Sequence, residues 1–243
     1  MRFYNTTHQH YCGIDLHAKS MYVCIINHDG ETVLHCNMKT EPEHLATAIE
    51  PYRQDLVISV ECLFTWYWLA DWCAKENIPF VLGHALYMKA IHGGKAKNDR
   101  IDSEKIARLL KAGMVPQAYA YPAKMRATRD LLRRRIGFAR QRADLIAHIQ
   151  NTVSQYNLPP LGVRLGRKKD RLDIADHFPD PVVRQMVELD LNVIDHLDEQ
   201  LRVLEQDLVL KAKAHDAGAY HLLRTVPGIG RILAMVILYE IED

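Results

Sequence analysis

The chain has 243 residues, of which 48% are hydrophobic, and this length allows one large domain or two modest ones. Its 31 basic and 30 acidic residues give a net charge of +1, so the overall charge does not by itself indicate a nucleic-acid-binding protein. No apolar run approaches the ~20 residues of a membrane span, and no apolar signal sequence opens the chain. The five cysteines form no CxxC pair, which favours reduced thiols and a cytoplasmic protein.

The first part of the chain alternates between strand and helix patterns. In chain order, the predicted elements are strands at 11–16, 21–27 and 32–38, a helix at 42–53, a strand at 56–61, a helix at 65–77 and a strand at 79–83. This order predicts a mixed-sheet α/β domain. It matches the ribonuclease-H-like arrangement, in which an antiparallel meander precedes parallel strands.

Helical patterns dominate the rest of the chain. An amphipathic helix is predicted at 101–112, a long helix at about 123–157, and a second long helix after Pro181, with a basic irregular connector at 161–180 between the long helices. The second long helix has apolar residues at heptad spacing, namely Ile194, Leu197, Leu201, Leu204 and Leu208. We expect the two long helices to pack as a hairpin, within one chain or between chains.

Four acidic residues stand at the ends of predicted elements. Asp15 and Glu61 end the first and fourth strands, and Asp99 and Asp102 lie three residues apart at a helix start, on one face of its first turn. A carboxylate at the end of a buried strand is costly to desolvate unless a cationic partner compensates. Several such carboxylates on different elements predict a Mg²⁺ or Mn²⁺ site, and sites of this kind serve enzymes that act on phosphodiesters.

Each acid also has a simpler structural interpretation. Asp15 alone fits a hydrogen-bonded strand end, Glu61 fits a favourable charge at a helix N-terminus, and one of Asp99 and Asp102 is expected to help cap its helix. Gly-Ile-Asp also begins the phosphate-binding strand of actin-like and sugar-kinase ATPases, but His17-Ala18-Lys19 replaces the small turn that those enzymes need. No ligand role is assigned to any of the thirteen histidines.

Basic residues cluster near Asp99 and along the first long helix. Seven arginines lie between Lys124 and Arg142, against the single acid Asp130, which favours phosphate contacts over a merely solvated face. The segment 225–230 resembles a helix-hairpin-helix turn, in which glycines let backbone N–H groups approach a DNA phosphate. The residues predicted to contact nucleic acid are Lys95, Lys97, Arg100, Arg129, Arg133, Arg134, Gly228 and Gly230.

Taken together, these motifs resemble the DEDD-type transposases of bacterial insertion sequences (family one-hundred-and-ten) and the related Piv-type DNA invertases. The matching segments, in chain order, are Gly13-Ile14-Asp15-Leu16-His17, the strand ending in Glu61, residues 98–107 and Val226-Pro227-Gly228-Ile229-Gly230. The resemblance implies that Asp15, Glu61, Asp99 and Asp102 are the catalytic, Mg²⁺-binding acids of a RuvC-like domain. It also implies that a noncoding bridge RNA pairs with donor and target DNA on basic surfaces of the protein.

The same resemblance implies a domain organisation and an incomplete enzyme. It predicts a RuvC-like DEDD domain at 1–115, a helical coiled-coil connector for dimerisation at 116–218, and the start of a C-terminal transposase domain at 219–243. In the family a nucleophilic serine lies beyond the Pro-Gly-Ile-Gly segment, so the chain is expected to be truncated before it. The expected role is DNA transposition; the alternatives are a non-catalytic nucleic-acid-binding or dimerisation fragment and a RuvC-like nuclease.

Overall fold

The computed structural model describes residues 2–92 and 98–241, with side chains for all of these except 89–92. The chain has a mixed α/β fold and divides into two compact units, Met1–Ala123 and Lys124–Asp243. The division into three domains at 115 and 218 remains a prediction. Within the described ranges, no helix combines the length and apolar sequence needed to cross a lipid bilayer.

A five-stranded mixed sheet in the order β3-β2-β1-β4-β5 forms the centre of the first unit. Its strands are β1 His10–Leu16, β2 Ser20–Asn27, β3 Thr32–Lys39, β4 Leu56–Glu61 and β5 Phe80–Gly83. The first three strands are antiparallel neighbours, whereas β4 lies parallel to β1 and β5 parallel to β4. The predicted strands are therefore confirmed, with ends that shift by at most about one residue.

The helices of the first unit are α1 Pro42–Ile49, α2 Trp66–Lys75, α3 Ala85–His92 and α4 Asp99–Lys111. The first helix is shorter than predicted because the chain tightens into a 3₁₀ turn over Glu50–Asp55, with Pro51 near its start. The helix α3 was not predicted, since the sequence analysis assigned no element between the strand at 79–83 and the helix at 101–112. The cap of α4 is the Asn98 side chain, which accepts from the Arg100 N–H. The expectation that Asp99 or Asp102 helps cap this helix is therefore wrong.

The two faces of the sheet pack against different helices. On β1, Cys12, Ile14 and Leu16 join a core with Leu45 of α1 and Leu69 of α2. The opposite face packs against α4. Because side chains alternate along a strand, the odd-numbered residues of β1, including position 15, belong to the α4 face.

The second unit is built on α5 Ala123–Gln155, α6 Pro181–Thr225 and α7 Arg231–Glu240. Ion pairs join α5 to α6, and they connect Arg135 to Glu205, Arg142 to Asp198, and His148 to Asp190. In these pairs the residue numbers rise along α5 while those of the partners on α6 fall, so the two helices run antiparallel. They form the predicted hairpin within one chain.

The connector between the long helices contributes to their core. It lacks long helices, as predicted, but Leu165, Ile174 and Phe178 are buried against apolar residues of α5 and α6. The Arg171 side chain is only 3% exposed and donates to Asp195 and to Asp198 of α6. The connector is therefore anchored to the hairpin by both packing and charge.

The backbone of α6 leaves helical geometry at Asp216, where φ is −153° and ψ is 96°. The Asp216 carboxylate accepts from the Ala219 N–H, as an N-cap side chain does at a helix start. The residues beyond it pack with α7 in a core that includes Tyr220 and Tyr239. A turn at 226–230, in which Gly228 has a φ of 87°, leads into α7.

Candidate metal centre and nucleic-acid-contacting residues

Close packing between β1 and α4 brings the acidic residues together. A Cβ placed on Gly13 would collide with the backbone of Ser103 and of Ala107, so only glycine allows this approach. The contact fixes α4 across β1, two positions before Asp15. It therefore directs the first turn of α4, with Asp99 and Asp102, towards the end of β1.

A cluster of two carboxylates and one imidazole lies at this end of the sheet. Among the described residues, Asp15, His17 and Asp99 place ligand atoms within 4.8 Å of one another. The His17 Nε2 atom is 3.3 Å from Asp15 Oδ2 and 3.7 Å from Asp99 Oδ2. The Asp15 side chain is 13% exposed and that of Asp99 is 61% exposed, so the cluster opens towards solvent on its Asp99 side.

Burial raises the pKa of the Asp15 carboxyl above its ordinary value, and the nearby His17 opposes this rise. The carboxylates of Asp99 and Asp102 raise that pKa further. The fold brings these carboxylates together, and a bound cation would relieve their mutual repulsion. The surroundings of Asp15 therefore favour an ionised carboxylate that has a bound cation over an ionised carboxylate without one.

The other two predicted acids lie near the cluster but outside its 4.8 Å group. In the parallel register of β1 and β4, Gly13 pairs with Ser59 and Ile14 pairs with Val60. Glu61 follows Val60 at the end of β4, at the position corresponding to Asp15 and on the same α4-facing side of the sheet. Asp102 lies one helical turn after Asp99, and its Oδ1 atom is 3.1 Å from Lys105 Nζ.

The first turn of α4 is also held from β3. The His35 Nε2 atom lies 2.9 Å from the Arg100 carbonyl oxygen, and the Ser103 hydroxyl donates to the same oxygen. Since a carbonyl oxygen only accepts, His35 must donate through Nε2. The Asn98 cap and His35 together fix the backbone on both sides of Asp99.

The residues predicted to contact nucleic acid lie in several places. Arg100 is exposed in the first turn of α4, while Lys95 and Lys97 lie outside the described residues. Arg129 and Arg133 of α5 both pair with Glu240 of α7, and Arg134 lies over the Phe138 ring. Gly228 and Gly230 are exposed in the turn before α7. Their contacts with nucleic acid remain predictions.

The sequence analysis missed several residues that build this site. His17 was given no ligand role, although its spacing of two residues from Asp15 at a strand end was a usable signal. Gly13 was noted only as part of a motif, and its close contact with α4 depends on the tertiary fold. His35 had no recognisable pattern, because its partners on α4 lie far away in sequence.

Comparison with known proteins gives this geometry a family context. The family model DEDD_Tnp_IS110, described as a transposase, matches residues 12–158, which is more than half of the chain. The chain belongs to the IS110-type DEDD transposase family. All four predicted acids lie within the matched segment, which ends in the region after α5. No individual curated protein matches the sequence.

Membership of this family indicates a general role in DNA transposition, with DNA as the substrate. The resemblance found in the sequence is confirmed at this level. The transposase family match does not extend to the turn at 226–230 or to α7.

Proposed function

We propose that the chain is the metal-binding and nucleic-acid-binding part of a DEDD transposase that acts on DNA phosphodiesters. Asp15, Glu61, Asp99 and Asp102 are the proposed ligands of Mg²⁺ or Mn²⁺. The observation that carries the proposal is the meeting of Asp15 and Asp99, which come from different elements and lie within reach of one His17 nitrogen.

The donor set suits a hard divalent cation. Carboxylate oxygens are the preferred ligands of Mg²⁺, and Mn²⁺ also accepts an imidazole nitrogen. Such an ion, when bound, would polarise a phosphodiester oxygen and stabilise charge on the attacking or leaving oxygen. The contribution of the chain is to fix the ligands: Gly13 lets α4 approach, and His35 and Asn98 hold its first turn.

The sheet supports a ribonuclease-H-like, RuvC-like assignment for the first unit. Its order β3-β2-β1-β4-β5, with an antiparallel meander followed by parallel β4 and β5, agrees with the arrangement expected from the sequence. In this assignment the acids on β1 and β4 lie at the centre of the sheet. The cluster opens to solvent on its Asp99 side, which is the side from which a DNA backbone would approach.

We further propose that basic residues of each unit contact nucleic acid. Arg100 is exposed beside Asp99, so its guanidinium is placed to contact a phosphate next to the acidic cluster. By family resemblance, the bound nucleic acids are DNA and a guide RNA. Arg133 and Arg134 are the exposed candidates on α5, and the ion pairs of Arg129 and Arg133 with Glu240 also give those two residues a structural role.

We also propose that α6 mediates a homo-oligomer through a coiled coil. Val182, Leu189, Val203 and Leu210 are at least half exposed and recur at intervals of one or two heptads. They lie on a different side of α6 from Ile194, Leu201 and Leu208, which pack inside the chain. A second copy is the proposed partner because heptad spacing suits another long helix.

Calorimetric titration with Mn²⁺ tests the metal site directly. We expect Asp15→Asn and Asp99→Asn each to weaken binding by about 10- to 100-fold, because each removes a charged ligand. Asp29→Asn, an exposed carboxylate in the turn between β2 and β3, is the matched control and should leave binding unchanged. Unaltered Mn²⁺ affinity in both site variants would disprove the metal site.

A supercoiled-plasmid assay with Mg²⁺ distinguishes the transposase proposal from its alternatives. Nicking by the chain alone that is lost in Asp15→Asn indicates a RuvC-like nuclease. Binding of DNA without cleavage indicates a nucleic-acid-binding module that acts with other components. Absence of both DNA binding and metal binding contradicts the proposed function.

A further inference from the structure

An apolar cleft of about 440 Å³ opens next to the acidic cluster. It is lined by His17, Ala18, Thr40, Pro42, Thr65 and Trp68. This volume lies within the range of pockets that hold small organic groups. The cleft is on the α1 and α2 side of β1, whereas Asp99 approaches from the α4 side.

The chemistry of the lining favours a flat apolar group. The Thr40 hydroxyl donates to the His17 carbonyl oxygen and the Thr65 hydroxyl donates to the Leu16 carbonyl oxygen. Both hydroxyls are therefore engaged by the backbone. The remaining surface consists of methyl groups, a proline ring and two aromatic rings, and it carries no charged carboxylate or amine.

The cleft and the acidic cluster share His17. The imidazole lines the cleft, while its Nε2 atom lies 3.3 Å from the Asp15 carboxylate. A group bound in the cleft therefore lies next to any ligand of the acidic residues. In a nucleotide, a flat aromatic base and a phosphate are joined by one sugar, so one nucleotide carries both kinds of group that these two neighbouring surfaces would take.

We infer that this cleft binds an unpaired nucleobase of the DNA strand whose phosphate lies at the acidic cluster. Trp68 supplies an aromatic surface against which the base stacks, and Pro42 and Ala18 complete the apolar wall. Stacking of this kind tolerates any base, because every base has a flat aromatic face. The inference rests on the proposed function, since the acids fix where the phosphate lies.

The inference is tested by comparing two single-stranded probes in Mg²⁺, the ion proposed to hold the phosphate at the acidic cluster. One probe is a short fluorescein-labelled oligothymidylate, and the other has the same backbone with every base removed. We expect the protein to bind the base-bearing strand about ten-fold more tightly. Trp68→Ala should abolish that difference and leave affinity for the abasic strand unchanged.

Trp72→Ala is the matched control. Trp72 and Trp68 both belong to α2 and pack against the same core, but only Trp68 lines the cleft. We expect Trp72→Ala to keep the ten-fold preference for the base-bearing strand. Ala18→Leu offers a second route, since it fills the cleft from an exposed position without removing core packing. It should also abolish the preference.

Equal affinity of the native protein for the two strands overturns the inference, as does failure to bind either strand. Retention of the full preference in both Trp68→Ala and Ala18→Leu also overturns it. These results are independent of the Mn²⁺ titration. A protein with an intact metal site and no base preference refutes the cleft alone, and lost metal affinity with an intact preference refutes the metal site alone.

Discussion

Gly13 on β1 lies against the backbone of Ala107 on α4, and this contact determines where the first turn of α4 is placed. A side chain at position 13 has no space to enter, because the obstructing atoms belong to the helix backbone and not to a flexible side chain. The acidic cluster thus depends on a residue that carries no functional group.

We predict that Gly13→Ala destabilises the protein by about 1–3 kcal/mol, the usual cost of overpacking, and weakens Mn²⁺ binding because α4 is displaced. Urea unfolding and calorimetry measure the two effects. Gly137→Ala is the control: Gly137 lies within α5 with nothing near its Cβ position, so alanine there should stabilise the protein slightly. Native Mn²⁺ affinity in Gly13→Ala would contradict the prediction.

We predict that Asp15→Asn stabilises the metal-free protein at neutral pH by about 0.5–2 kcal/mol, as often occurs when a strained site is relieved. Since the folded-state pKa of Asp15 is raised, the native protein loses stability as pH rises from the ordinary value of 3.8 through that pKa. The stability gained by Asp15→Asn should therefore disappear at acidic pH. Thermal unfolding between acidic and neutral pH tests this, with Asp29→Asn as the comparison. A destabilised Asp15→Asn protein at neutral pH contradicts it.

We predict that His17→Asn weakens Mn²⁺ binding by about ten-fold and Mg²⁺ binding by less, because the imidazole nitrogen is a better ligand for the softer ion. Parallel titrations with the two ions measure this difference. His44→Asn serves as the control, since His44 is an exposed residue of α1 that pairs with Glu41 at its own helix end. Equal losses of affinity for Mn²⁺ and Mg²⁺ would show that His17 is not a ligand.

We predict that Arg171→Met destabilises the second unit by about 2–4 kcal/mol, because it leaves two carboxylates without their buried partner. Although burial raises the pKa of Asp198, hydrogen bonds from Arg142 and Arg171 lower that pKa below its ordinary value overall. The resulting stability is present above pH 3.8 and is lost as pH falls through the folded-state pKa. The variant should therefore unfold at a higher pH in acid titrations followed by circular dichroism.

Arg202→Met is the matched control for Arg171→Met. Arg202 pairs with Glu199 on the exposed side of α6, where ion pairs contribute little to stability. If both variants unfold at the same pH as the native protein, the buried network has no stabilising role.

We predict that Leu189→Glu combined with Leu210→Glu shifts the protein towards monomer, because both side chains lie on the proposed contact face of α6. Sedimentation equilibrium over a concentration series measures the effect. Glu188→Lys, an exposed position on the same helix but outside the heptad stripe, is the comparison. A monomeric native protein at all concentrations rules out the proposed oligomer.

The strands could be predicted because their evidence is local. Alternating apolar residues, the His28-Asp29-Gly30 turn and the buried run at β4 each lie within a few residues of the element that they define. The helix α3 was missed because its eight residues are too few for a clear helical periodicity. Its position depends on contacts of Met88 with the sheet core, which no local pattern shows.

The candidate site could be predicted in part. The four acids could be singled out because a carboxylate at the end of a buried strand is costly to desolvate, and the four acids are spread over different elements in one part of the chain. The arginines of α5 were harder to interpret, because the partner of Arg129 is more than a hundred residues away at Glu240. A basic run in sequence appears identical whether its charges face a phosphate or a distant glutamate.

The break at Asp216 has a geometric consequence for α6. At this residue the backbone leaves helical geometry, and the Asp216 side chain caps the segment that follows. The axis of the helix therefore changes direction here without a glycine or proline at this position. Residues on both sides of the break pack in one core with α7, so the bend determines where the end of α6 meets α7.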